Sequence, residues 1–107
     1  MGWDLWIEID AGGESPATLG DSVNHTHNCN HMLRKAGIYW PDHAGKTMEE
    51  FGPILRAAID DMESNRAEYE AMNPENGWGS YASLLKVLRQ IYAQYVPWKK
   101  ATLAVSM

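Results

Sequence analysis

Hydrophobic periodicity changes twice along this chain, from two residues to about 3.6 and back to two, and that order restricts the fold more than any other feature. From Gly2 to Asp10, Trp3, Leu5, Ile7 and Ile9 alternate with Asp4, Trp6, Glu8 and Asp10. This is the pattern of a half-buried strand. Lys100 to Met107 alternates again, Leu103, Val105 and Met107 against Thr102, Ala104 and Ser106, and reads as a strand beside the first. Between them Thr47-Met48-Glu49-Glu50 forms a capping box. Phe51, Ile54, Leu55, Ala58, Ile59 and Met62 then share one helical face. Pro53 predicts a loose first turn from Thr47 and a regular helix from Pro53 onward. Ser80 caps a second helix with Tyr81, Leu84, Leu85, Leu88, Ile91, Tyr92 and Tyr95 on its apolar face, stopped by Pro97. A chain of 107 residues supports one domain, 1–107, with a single modest core. The predicted class is α+β: a two-layer sandwich whose small, mainly antiparallel sheet comes from the N- and C-terminal strands, with two main helices packed on one face.

The connecting segments fill in this plan. Ala11 to Pro16 collects turn formers, and a second extended piece from about Gly20 to His27 runs back beside the first. Asn28 is a favourable N-cap for a short helix over His31 to Ala36 that stops at Gly37. Ile38-Tyr39-Trp40 reads as a brief third strand closed by Pro41. Glu63 to Met72 continues as a short charged helix, and Asn73 to Gly79 is a compulsory loop carrying Trp78 between two glycines. Five Trp and five Tyr exceed what so small a core usually needs, so some either fill the core or line a contact surface. The alternation places Trp6 and Trp40 on the outer sheet face, which predicts a homodimer or a partner surface there.

Charge and hydropathy exclude several classes. Nine Lys and Arg against fourteen Asp and Glu give a net charge of −5. No basic footprint exists to collect phosphates, so direct nucleic-acid binding is disfavoured, while a basic partner surface is not. No apolar run approaches about eighteen residues, and Met1-Gly2-Trp3-Asp4 lacks the features of a secretory signal. The single cysteine, Cys29, has no internal disulfide partner. The expectation is a soluble cytoplasmic protein without membrane contact.

The chemistry concentrates in Ser22 to His31, where two kinds of polar residue interleave. In an extended segment His25, His27, Cys29 and His31 share one side and Asn24, Thr26, Asn28 and Asn30 the other. Zinc needs three or four ligands at about 2.0–2.3 Å from one point, and four residues along one strand stretch over roughly 20 Å. Only His25 and His27 can act together, as a His-x-His metal pair, and a third ligand must come from elsewhere, such as His43, Asp21 or Asp42. Cys29 in the first turn of a helix with histidines nearby is a candidate thiolate. These residues define one alternative function, a metal- or thiol-dependent hydrolase. The carboxylate pairs Asp60-Asp61 and Glu49-Glu50 read as solvated helix faces. On the other side Asn24, Thr26 and Asn28 either read a ligand's hydrogen-bonding edge or satisfy the local turn and helix cap. Trp78, following Asn76 on its glycine-flanked loop, can stack on such a ligand.

Several stretches together resemble a group of small proteins encoded by bacteriophages and prophages, mainly of actinobacteria. They are Gly2-Trp3-Asp4-Leu5-Trp6-Ile7-Glu8-Ile9-Asp10, the Asn24-x-Thr26-x-Asn28 core with Met32 and Arg34-Lys35-Ala36, Tyr69-Glu70-Ala71-Met72-Asn73-Pro74-x-Asn76-Gly77-Trp78-Gly79, and Leu103-Ala104-Val105-Ser106. The resemblance implies a phage gene product in the host bacterial cytoplasm and carries no catalytic signature. It also implies that Asn24, Thr26 and Asn28 are kept while His25 and His27 vary, which shifts weight to the amide side and the Trp78 loop. The leading expectation is a non-enzymatic binding protein of counter-defence. Its ligand-binding residues are Asn24, Thr26, Asn28, Asn76 and Trp78, and its target is a small nucleotide-like signal or a host defence protein. A structural or assembly role in the virion is the remaining alternative.

Overall fold

In the computed structural model, which describes residues 2–107, the first alternating segment forms β1 (Gly2–Ile9). It buries Trp3, Leu5 and Ile7 and turns Asp4, Trp6 and Glu8 to the opposite face. β2 (Ala17–Thr26) and β3 (Thr102–Ser106) flank it, both antiparallel, in the order β2-β1-β3. The predicted α+β class and the central place of the N-terminal strand therefore hold. Beneath the sheet lie Phe51, Leu55, Ile59 and Met62 of α2 (Met48–Ser64) and Leu84, Leu88 and Ile91 of α4 (Tyr81–Gln94). The other face stays open, as an antiparallel sheet allows.

β2 begins three residues earlier than its sequence pattern suggests, because an edge strand of mostly exposed residues shows little alternation. Its ladder is also broken: Leu5 pairs with Val23 and Ile7 with Leu19, so Trp6 alone faces Gly20 to Ser22, with Gly20 at φ 70°. Such a bulge leaves main-chain groups without ladder partners. The buried Tyr95 hydroxyl fills the gap, 2.6 Å from the Asp21 carbonyl oxygen and 3.1 Å from that of Leu5. Tyr95→Phe is expected to lower the unfolding free energy by about 2 kcal/mol in urea denaturation, because a buried carbonyl loses its donor.

Both helix caps follow the predicted chemistry. At α2 the Glu50 amide donates to Thr47 Oγ1 at 3.2 Å, and the Thr47 amide donates to Glu50 Oε1 at 3.2 Å. Pro53 does not delay this helix, which is continuous from Met48. One turn inside the start it removes a single hydrogen bond, the one to the Glu49 carbonyl, and its ring lies on the exposed side. Ile54 and Tyr92 are only half-buried and border the core. α3 (Arg66–Glu70) accounts for the expected short charged helix.

The segment after the short helix α1 (Asn30–Ala36) departs from expectation. Gly37 at φ 78° ends α1 as predicted, but Ile38 to Trp40 is not a strand. Trp40 opens a 3-10 turn, Trp40–His43, and is fully buried with its ring centroid 6.3 Å from that of Phe51. Its predicted place on the outer face is thus corrected: the left-handed glycine redirects the chain, and period-two reasoning does not apply to a turn. The strand-like partner of β3 comes instead from Gly45 to Thr47. Gly45 N donates to the Leu103 carbonyl at 2.8 Å, and Leu103 N donates to the Lys46 carbonyl at 2.9 Å. Among the described residues no helix is long and apolar enough to cross a membrane.

Candidate functional site

The Asn73–Ser80 loop crosses the corner where β2 ends, with Gly79 against Thr26 and Cys29. The chain leaves β2 at Thr26 and enters a 3-10 turn, His27–Cys29, so the spacing of two that aligns the polar residues stops there. Thr26 Oγ1 accepts the Asn28 amide at 3.2 Å and the Asn28 side-chain Nδ2 at 3.0 Å. Thr26, rather than Asn28, is therefore the cap. α1 itself starts behind Cys29 with no side-chain cap. Asn24 stands on the open sheet face and donates from Nδ2 to Asp4 Oδ1 at 2.8 Å.

His25, His27, Cys29 and His31 on the other side separate for the same reason, each finding its own neighbour.

His25 is buried and its Nε2 lies 3.1 Å from Ser83 Oγ on α4. His27 packs on Trp3, ring centroids 4.4 Å apart, with Nε2 buried and without a hydrogen-bond partner. Cys29 is fully buried with Sγ 3.9 Å from the Ser80 carbonyl oxygen. His31 reaches away and donates from Nε2 to the Met72 carbonyl at 2.6 Å. The His25 and His27 pair thus faces two different partners, and among the described residues no group of three His, Cys, Asp or Glu is placed to hold a metal.

His25 and Ser83 form a hydroxyl–imidazole pair that sequence reasoning missed. Its only sequence signal is Ser80-x-x-Ser83, a capping box in which serine replaces the usual acid. Ser83 Oγ accepts the Ser80 amide at 2.9 Å, so the hydroxyl already serves the cap. No carboxylate orients the imidazole, whose Nδ1 is buried without a hydrogen-bond partner. Burial holds the His25 pKa below the ordinary imidazole value, with a smaller opposing pull from the Thr26 main chain, and pushes the Cys29 thiol up. The upward shift of the Cys29 thiol works against the thiolate that a nucleophilic cysteine uses.

The lowered His25 pKa has a consequence for stability. Protons bind the unfolded chain more readily than the folded one, so stability is complete above the unfolded pKa of about 6.5 and falls as pH drops through the lower folded value. Urea unfolding between pH 7.5 and about pH 5 is expected to show this decline. In His25→Gln the slope over that window becomes shallower.

The loop is held at several points. Asn73 Oδ1 accepts the Tyr81 amide at 2.7 Å, and Asn76 Oδ1 accepts the Trp78 amide at 2.9 Å. Gly77 and Gly79 sit at φ 74° and 88°. At Gly79 the backbone presses so closely on β2 that a Cβ would stand 2.4 Å from Thr26 Cγ2 and 3.1 Å from Cys29 Sγ. The Trp78 side chain is nevertheless 68% exposed. Thr26 and the Trp78 loop are thus brought together. Asn24 and Asn76 are engaged within the chain, and Asn28 is spent on the turn. Three grooves lie elsewhere: one of about 520 Å³ beside Tyr39 and the end of β3, one of about 330 Å³ between α2 and Tyr92, and one of about 290 Å³ by Arg66 and Arg89. No protein-family model, curated protein or solved structure matches this chain.

Proposed function

We propose that this chain is a non-enzymatic binding protein that engages a protein partner through Trp78, in the setting of phage counter-defence against a host protein. The observation that carries the reading is an indole more than half exposed on a loop whose backbone is clamped on both sides. A large aromatic side chain presented on a pre-ordered backbone suits a binding hot spot, because little freedom remains to be lost on association. The phage setting rests on the sequence resemblance alone. A protein target is favoured over a nucleotide-like signal because the Asn24, Thr26 and Asn28 side chains hydrogen-bond within the chain.

Affinity purification from host cells, comparing the native chain with Trp78→Ala, tests this reading. A host protein recovered by the native chain and then purified is expected to bind Trp78→Ala at least about tenfold more weakly, a loss of about 1.4 kcal/mol or more. The variant's own stability is expected to change by under about 0.5 kcal/mol, since the side chain is exposed. Equal affinity for both forms overturns the assignment. A nucleotide that raises stability by about 2.7 kcal/mol at a hundred times its dissociation constant favours the small-signal target instead. Recovery of the chain in purified particles favours the virion role.

A further inference from the structure

We propose a second docking site, independent of Trp78: the outer edge of β3 accepts an extended peptide of a partner protein as an added strand. An apolar side chain of that peptide enters the groove beside Tyr39, and an acidic side chain meets Arg34.

The ladder pattern identifies the free edge. Leu103 turns its amide and carbonyl away from β1 to pair with Lys46 and Gly45. Antiparallel pairing repeats every two residues, so Val105 directs its own amide and carbonyl to the same side. Gly45 is where the covering segment ends, and among the described residues Val105 has no backbone partner beyond it. An exposed main-chain donor and acceptor of this kind is what strand addition uses for affinity. The groove of about 520 Å³ supplies the accompanying side-chain pocket, lined by Tyr39, Pro41, Ala44, Val105 and Met107. Apart from Ser106 its lining side chains, Trp3 included, are aromatic or aliphatic, which suits an apolar residue, while main-chain polar groups share the wall.

Charge complementarity indicates the neighbouring residue. The Arg34 guanidinium lies 3.8 Å from the centroid of the Tyr39 ring and forms no ion pair among the described residues. Itself outside the groove's lining, it offers an unneutralised cation stacked on Tyr39, although the chain as a whole is acidic. A second copy of this chain fits poorly. Antiparallel self-pairing about Val105 would set each Met107 against the partner copy's Leu103, where the edge is already filled by Gly45 and Lys46. A peptide brings no covering segment of its own against Met107, and it ends or turns away before Leu103, where Gly45 fills the edge.

Selection of a ribosome-displayed library of random octapeptides on the folded full chain tests the proposal. The enriched peptides are expected to alternate apolar and other residues with an acid beside the central apolar position. The best of them is expected to lose at least tenfold in affinity for Val105→Pro, which removes the edge donor without touching the β1 ladder. N-methylation of its pairing amides should cause a similar loss and needs no change in the protein. Arg34→Glu should weaken binding, and lysine in place of the peptide's acid should restore it. No enrichment, affinity unaffected by N-methylation, or peptides indifferent to both protein variants overturns the proposal. Self-association of the free chain that Val105→Pro abolishes, with no peptide binding, overturns it in favour of a second copy.

Discussion

Alanine at position 40 is expected to lower the unfolding free energy by about 4 kcal/mol, the usual cost of removing a fully buried tryptophan. Trp40 has no exposed surface and packs against Phe51 of α2. Truncation leaves a cavity bounded by a helix and by a turn that Pro41 and the pairing of Gly45 with Leu103 hold in place, so collapse is limited. Urea denaturation measures the loss directly. An outer-face Trp40, as its sequence position suggests, predicts a cost below about 0.5 kcal/mol. The two placements therefore differ by several kcal/mol in one experiment.

Gly79→Ala is expected to cost about 3 kcal/mol, from two separable causes. One is the left-handed backbone at φ 88°, which a side chain tolerates poorly. The other is the added Cβ at 2.4 Å from Thr26 Cγ2 and 3.1 Å from Cys29 Sγ, which forces the loop off β2. Gly77 separates the two, since it shares the left-handed conformation at φ 74° but has open space where its Cβ would be. Gly77→Ala should cost only about 1 kcal/mol, the strain alone. The difference between the variants measures how firmly the Trp78 loop rests on the strand. Equal costs would show that the loop does not depend on that contact.

Much of the fold is legible in the residues. β1, β3, the Thr47 capping box, the Ser80 cap and the Gly37 stop depend on chemistry within a few positions, and each lies where local pattern puts it. β2 was harder to delimit, because at a sheet edge burial is too weak to impose alternation, and because the bulge at Gly20 to Ser22 interrupts the register. The candidate site was less legible still. Asn28 does not cap the short helix, because a 3-10 turn capped by Thr26 intervenes and α1 starts with no side-chain cap. The hydroxyl facing His25 comes from Ser83, fifty-eight positions away, and no spacing within Ser22 to His31 indicates it. The Trp78 loop was visible as a glycine-flanked tryptophan, but its seat against Thr26 and Cys29 was not.

The sequence by itself determined the α+β class, the order of its main elements and the caps of its two main helices, since periodicity, capping and turn chemistry act over one or two turns of chain. Tertiary structure alone decided which polar residues meet. It split His25 from His27, buried Trp40 and Cys29, left Trp78 exposed and kept the Val105 edge open. Those outcomes depend on contacts between segments far apart in the chain, where the gain from packing outweighs any local preference.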